Sequence, residues 1–197
     1  MRPDEDVQEQ SACESVPCVP VALLKTERLA LRPFRAEDID AYAAMCADPD
    51  VMRFLSPGGK PLSREDAWRQ MAMYAGHWQL RGYGMWAVED RSTGIFIGRI
   101  GLLYPEGWPD RELAWALARP FWGRGFATEG ARVALAHAFE SLGWDHLISL
   151  IHPRNKKSVH VAERIGASFR GFAYLRGVRH RVYRSEANAW RSRTARG

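Results

Sequence analysis

Glu112-Leu113-Ala114-Trp115-Ala116-Leu117-Ala118-Arg119-Pro120-Phe121-Trp122-Gly123-Arg124-Gly125-Phe126-Ala127-Thr128-Glu129 is the stretch on which the fold turns. Its first seven residues alternate, with Leu113, Trp115 and Leu117 on one side, as a strand with one better-buried face does. A turn from Arg119 to Gly125 follows. Beyond it, Ala127, Gly130, Ala131, Ala134, Leu135, Ala138, Phe139 and Leu142 recur at helical spacing until Gly143 stops the helix. A strand that passes through two glycines into an amphipathic helix can aim backbone N–H groups at one point, at the positive end of the helix dipole. Such a point suits a pyrophosphate; Thr128 adds a hydroxyl and Arg124 a charge. Taken alone, Gly-x-Gly reads equally well as a tight loop with no ligand. It is neither a Walker A loop nor the dinucleotide fingerprint, because no Lys-Ser pair and no third glycine follow.

The pattern downstream predicts a short strand at His146–Ile151, a helix from Lys156 to Ile165, and two strands, Ser168–Tyr174 and Val178–Glu186, paired through Arg176-Gly177. Upstream, Leu29 and Leu31 alternate within Thr26–Phe34 as a strand. Glu37–Ala47 is helix-like and is stopped by Asp48-Pro49-Asp50, and Ser63 caps a second helix that ends near Arg81-Gly82. Tyr83–Glu89 and Ile95–Leu103 are strands about the turn Asp90–Gly94. Three consecutive strands argue for an antiparallel meander and the strand-helix-strand around Gly123 for a parallel crossover. The expected class is α/β: a mixed, mostly antiparallel sheet of about seven strands flanked by about four helices.

The chain has 197 residues, a length that suits one domain. With 46% hydrophobic and 26% charged residues it has the composition of an ordinary globular protein with a sizeable core. Residues 1–22, with Pro3, Pro17 and Pro20, read as a flexible tail, 23–190 as the domain, and 191–197 as a basic C-terminal tail. No apolar run reaches bilayer length and the acidic N-terminus has no signal-peptide pattern, so we expect no membrane partner. Cys13, Cys18 and Cys46 form no ligand pattern; no metal is expected, and reduced thiols in a cytoplasm fit best. The net charge of +5 gathers after Arg164. A solvated basic strand and tail explains it better than a nucleic-acid surface, since no recognition motif accompanies it.

A second constellation, Asn155-Lys156-Lys157-Ser158, opens a helix right after a strand. Asn155 is an ordinary N-cap on one reading; on another its amide bonds a ligand's peptide-like arm. The two constellations in this order, one helix and one strand apart, resemble the GNAT superfamily of N-acetyltransferases, and within it the branch with the RimJ and RimL ribosomal-protein acetyltransferases. The likeness covers roughly Leu24 to Trp190. It is carried by Thr26-Glu27-Arg28-Leu29-x-Leu31-Arg32, Asp48-Pro49-Asp50-Val51-Met52, the block Trp122–Glu129 and Asn155-x-x-Ser158.

The resemblance implies the GNAT fold and acetyl-CoA as co-substrate. It implies backbone groups of Leu117, Ala118 and Arg119 on the pantetheine arm, and Gly123, Arg124, Gly125, Phe126, Ala127 and Thr128 on the pyrophosphate. Asn155 is then placed near the pantetheine and Ser158 near the sulfur. Two positions depart from the pattern. Pro120 stands where many members have Gln or Arg, and Ala162 where many have a Tyr acting as general acid; Ser158 is the substitute to nominate. Glu112 is the candidate base, with an edge carboxylate paired to an arginine as the plainer reading. His77 and His152 are lesser candidates, and solvent can also take the proton. Trp68, Trp78, Trp86 and Tyr83 read mostly as core, and Trp108, in a Pro- and Gly-flanked loop, as the aromatic that meets a ligand. The expected reaction is direct acetyl transfer, in a ternary complex, to a primary amine, either a protein N-terminus or a small molecule. A cleft holding Glu112 and Glu106 would suit a cationic acceptor. A non-catalytic acyl-CoA-binding module stands as the rival reading, and a homodimer is left open.

Overall fold

The computed structural model describes residues 20–195, so the expected tail falls mostly outside the described residues. Within them the alternation and the helical spacing become eight strands and six α-helices. Strand β1 (Leu24–Lys25) and β2 (Leu29–Arg32) divide the first expected strand. Helices α1 (Ile39–Ala47), α2 (Pro49–Met52) and α3 (Arg64–Arg81) follow. Asp48 ends α1 as expected and then caps α2, a one-turn helix that the proline at its first position permits. Ser63 caps α3, its side chain accepting from the Asp66 N–H, and Gly82 closes that helix at φ 75°.

The strands β3 (Met85–Asp90), β4 (Phe96–Leu103) and β5 (Glu112–Leu117) form the meander. Helix α4 (Phe126–Ala136) crosses over to β6 (His146–Ile151). Its last turn, His137–Ser141, loosens into π geometry while Ala138 and Phe139 stay buried. Helix α5 (Lys156–Arg164) leads to β7 (Ser168–Leu175) and β8 (Val178–Glu186), and Ala187–Thr194 forms α6. The basic end therefore does not begin as a tail at 191. Ala187 is buried, and Arg193 donates to the carbonyls of Gly166 and Ile165. At the other end, Val21 and Ala22 pack on the core, and the Trp86 indole donates to the Ala22 carbonyl at 2.7 Å.

The sheet runs β1-β2-β3-β4-β5-β6-β8-β7, antiparallel throughout except at β5/β6. One face packs on α4, α5 and α6 around Leu113, Leu117, Ile100 and Leu135. The other packs on α1–α3 around Tyr42, Met71, Tyr74 and Met85. Gly130 lets α4 lie close: a Cβ there would run into the Ile100 side chain.

Candidate functional site

The parallel pair β5/β6 holds register at a single point, Glu112 opposite Ile148. The Ile148 N–H donates to the Arg111 carbonyl at 2.8 Å. In an unbroken parallel ladder the Leu150 N–H would next donate to the Leu113 carbonyl. Instead the Leu150 N–H donates to the Glu112 carboxylate (3.1 Å), and the Leu113 carbonyl accepts from the Ser149 hydroxyl (2.7 Å). Two buried side chains thus take the bonds that would have zipped the strands, and the strands part. Beyond this point the Ala118 N–H donates to the Ile97 carbonyl at 2.9 Å. By alternation, the even-numbered residues of β5 spend their main chain on β4, and Leu113, Trp115 and Leu117 direct theirs into the gap. The Leu117 carbonyl is taken by the Trp122 indole at 2.7 Å. The backbone expected to face a ligand from Leu117, Ala118 and Arg119 is therefore shifted toward the strand's middle: Trp115 and the Leu117 N–H face the gap, and Ala118 does not.

At the end of β5, Gly123 and Gly125 sit in the left-handed region at φ 75° and 81°. Gly125 is the N-cap of α4, and no side chain caps that end among the described residues. The first-turn N–H groups, from Phe126 to Thr128, thus point outward with the helix dipole behind them. A Cβ on Gly123 would meet nothing within 4 Å, so the space over the turn is open. The turn is anchored from three sides. Glu129 accepts from the Thr26 hydroxyl (2.5 Å) and from Arg28 Nε (2.7 Å), and Arg28 also donates to the Arg124 carbonyl (3.1 Å). Arg119 pairs with Asp48 at 2.9 Å. Lys157 Nζ lies 4.1 Å from the centre of the Trp122 ring. Beside the turn, Arg28, Gly125, Thr128, Arg132 and Arg164 line an open groove of about 630 Å³. Arg132 and Arg164 carried no motif signal; only the crossover brings them together.

On the other side of the gap lies a narrower cleft of about 220 Å³. Glu112, Asn155, Ser158, Trp108 and His152 all line it. Asn155 is the N-cap of α5, its oxygen accepting from the Ser158 N–H at 3.2 Å. Because that end must be the acceptor, the NH₂ end is the one left for a ligand, so the two readings of Asn155 are compatible. Glu112 is buried and pairs with no arginine among the described residues. One oxygen accepts from Leu150 and the other from the Trp108 indole at 2.6 Å. Burial pushes its carboxyl above the ordinary glutamate value, against those two bonds and the nearby Arg99 charge.

His77 lies outside the cleft. Its Nδ1 meets the Tyr83 carbonyl at 2.7 Å and its Nε2 accepts from the Tyr104 N–H at 3.0 Å, which fixes the tautomer and leaves no lone pair. His152 stacks on Phe54 at 4.9 Å and accepts at Nδ1 from the Arg154 N–H. Ala162, at the position where a tyrosine is usual, is wholly buried. Glu106 is exposed and pairs with Arg81, so it contributes nothing to the cleft. Trp78 and Trp86 are core, as expected, whereas Trp68 is exposed.

Comparisons with known proteins point to one family. The model of the acetyltransferase (GNAT) domain family matches residues 28–168. The Bacillus subtilis protein YkkB is 34% identical over 154 residues, which cover 74% of this chain and 85% of YkkB. The crystal structure of an acetyltransferase from Agrobacterium tumefaciens superposes with a TM-score of 0.76 at 33% identity, over 85% of this chain and 95% of that one. RimL, a ribosomal L7/L12 alpha-N-protein acetyltransferase in complex with coenzyme A, shares the fold at a TM-score of 0.70 over 84% of this chain and 98% of its own. Its identity is 16%, which speaks to fold alone and leaves the RimJ/RimL branch unassigned.

Proposed function

The chain belongs to the GNAT acetyltransferase family, and from that premise we propose that it moves an acetyl group from acetyl-CoA to a primary amine by direct attack in a ternary complex. The observation that carries the reading is the parted β5/β6 pair, which sets an uncapped helix N-terminus at one end of a gap and a polar cleft at the other. The N–H groups of Gly123 to Thr128 take the pyrophosphate, and the arginine groove takes the rest of the nucleotide's charge. Trp115 and Leu117 offer main-chain partners to the pantetheine amides, and the Asn155 NH₂ a further donor.

Acetyl-CoA supplies an acyl carbon activated by sulfur. The protein's part is to hold the amine against that carbon, take a proton and ease the departure of the sulfur. As the new C–N bond forms and the C–S bond breaks, Glu112 receives the amine's proton, directly or through water, and passes it to solvent. Ser158 donates a hydrogen bond to the leaving thiolate, which takes up a proton from water. The acceptor's amine is a protein N-terminus or a small molecule.

Thiol release with acetyl-CoA across an amine panel tests the proposal, with calorimetry for acetyl-CoA alone. Binding without turnover of any amine would favour the rival reading, an acyl-CoA-binding module, for which the buried Ala162 in place of a tyrosine speaks.

A further inference from the structure

Two arginines of the sheet are buried to nearly the same degree, Arg32 at 7% exposure and Arg99 at 8%. Their surroundings are opposite. Arg32 holds Asp38 through two bonds of 2.7 and 2.8 Å and Glu89 through a third of 2.7 Å. Arg99 has no carboxylate within 4 Å among the described residues, and its buried Nε has no hydrogen-bond partner. Its guanidinium lies over the Tyr74 ring, 5.1 Å from the centre. Glu112 acts on it through space, with no hydrogen bond between the two among the described residues. A buried guanidinium with an unbonded donor is costly, so a chain that keeps one either bonds it to something else or uses it. Arg99 lines the acceptor-side cleft. Gln70 lines it too, and the Tyr42 hydroxyl occupies the Gln70 oxygen at 2.5 Å, which turns the NH₂ end of that amide toward other partners. Only one acidic side chain, Glu112, borders the cleft among the described residues, and it is already committed to Trp108 and Leu150. The cleft therefore offers an acceptor one carboxylate in reach of its amine, and a pair of unspent donor groups, guanidinium and amide, for something negative.

We infer that the acceptor is a small amine that carries a carboxylate, in the manner of a free amino acid, with the carboxylate on Arg99 and Gln70 and the amine toward Glu112. The inference rests on the acetyl-transfer reading above and names its substrate class. The planar fork of an arginine suits a carboxylate in two-bond geometry. A polyamine or aminoglycoside would bring positive charge against a buried cation and is disfavoured.

The test uses matched pairs: leucine against isopentylamine, phenylalanine against phenethylamine, each pair differing only in the carboxylate, with spermidine as the polycation. Thiol release from acetyl-CoA by the full chain gives kcat/KM for each. The amino acid of each pair is expected to exceed its partner by about tenfold or more, since the amine alone leaves the buried guanidinium without a hydrogen-bond acceptor. Arg99→Met should erase that advantage and leave acetyl-CoA binding by calorimetry unchanged. Arg99→Lys, which keeps the charge and loses the fork, should retain part of the advantage. Equal rates within each pair, faster turnover of spermidine, or an advantage that survives Arg99→Met would overturn the inference. Failure of the parent chain to bind acetyl-CoA would overturn the acetyl-transfer reading instead. The cleft is then read without turnover: an amino acid that raises the Tm of the parent but not of Arg99→Met supports the carboxylate site, and one that raises neither rejects it.

Discussion

His77 and Glu112 show how the same atom types serve opposite ends. Both ring nitrogens of His77 are spent on backbone groups, and burial pushes its pKa below the ordinary histidine value. The folded chain therefore resists the proton that the unfolded chain accepts. Its contribution to stability is full above about pH 6.5 and is lost as the pH falls through the lower folded value. The urea midpoint should drop between pH 7 and pH 5, and His77→Gln should flatten that drop; an unchanged slope would show that other groups set it. Glu112 runs the other way. Its raised carboxyl pKa means that ionisation opposes folding as the pH rises through the folded value, and the ionised form is what a base needs. The acid limb of kcat/KM should accordingly lie above the ordinary glutamate range and vanish in Glu112→Gln. A limb that persists in that variant would assign it to another group. Part of the activity loss in Glu112→Gln will be structural, because an amide cannot accept from both Trp108 and Leu150 with its two ends. Glu112→Asp, too short to reach both donors while still a carboxylate, separates the two roles.

At the scale of the element, the turn between β5 and α4 can be challenged without harming the core. Gly123→Ala places a side chain at φ 75° in open space, so it should cost about 1 kcal/mol of stability, from the left-handed backbone alone. Gly123→Asp adds a negative charge over the N-terminus of α4. It should abolish measurable coenzyme A binding by calorimetry while the Tm moves no further than in the alanine variant; intact affinity would make the turn structural only. The turn, α4 and the meander were readable in the sequence because each rests on local rules: alternation, helical spacing, glycine stops, an N-cap at Ser63. The parting of β5 from β6 was not readable. It depends on Glu112 and Ser149 reaching across to main-chain groups of the opposite strand, contacts that exist only after the crossover has laid the strands side by side. Likewise Thr26, Arg28 and Asp48 stood out only as motif letters, and their work, anchoring Glu129, Arg124 and Arg119, spans the whole sheet. The split of β1 from β2 and the π turn after Ala136 also went unseen, since neither changes which residues are apolar. Basic residues near the end suggested a solvated tail, whereas the burial of Ala187 and the bonds of Arg193 make that segment a helix.

Taken whole, the molecule places an open arginine-lined groove beside the turn that opens α4 and a narrow cleft where β5 and β6 part, and the proposed direct attack implies a kinetic order of events. Covalent relay through the protein would need an activated nucleophile in the cleft. Cys46, the one cysteine among the described residues, is buried in the core on α1, and burial raises its pKa. Of the hydroxyls in the cleft, that of Ser149 is committed to the Leu113 carbonyl, and no histidine bonds to Ser158 among the described residues. Among the described residues no cysteine and no histidine-bonded serine lines the cleft. On the proposed direct attack donor and acceptor are bound together, and initial-rate plots in which both concentrations vary should give intersecting lines. Protein incubated with acetyl-CoA and no amine should gain no acetyl group by mass spectrometry, and Ser158→Ala should slow turnover while keeping the intersecting pattern. Parallel lines, together with a stable acetyl mark on Ser158 that an amine removes, would replace direct attack with a two-step relay and recast that serine as the nucleophile.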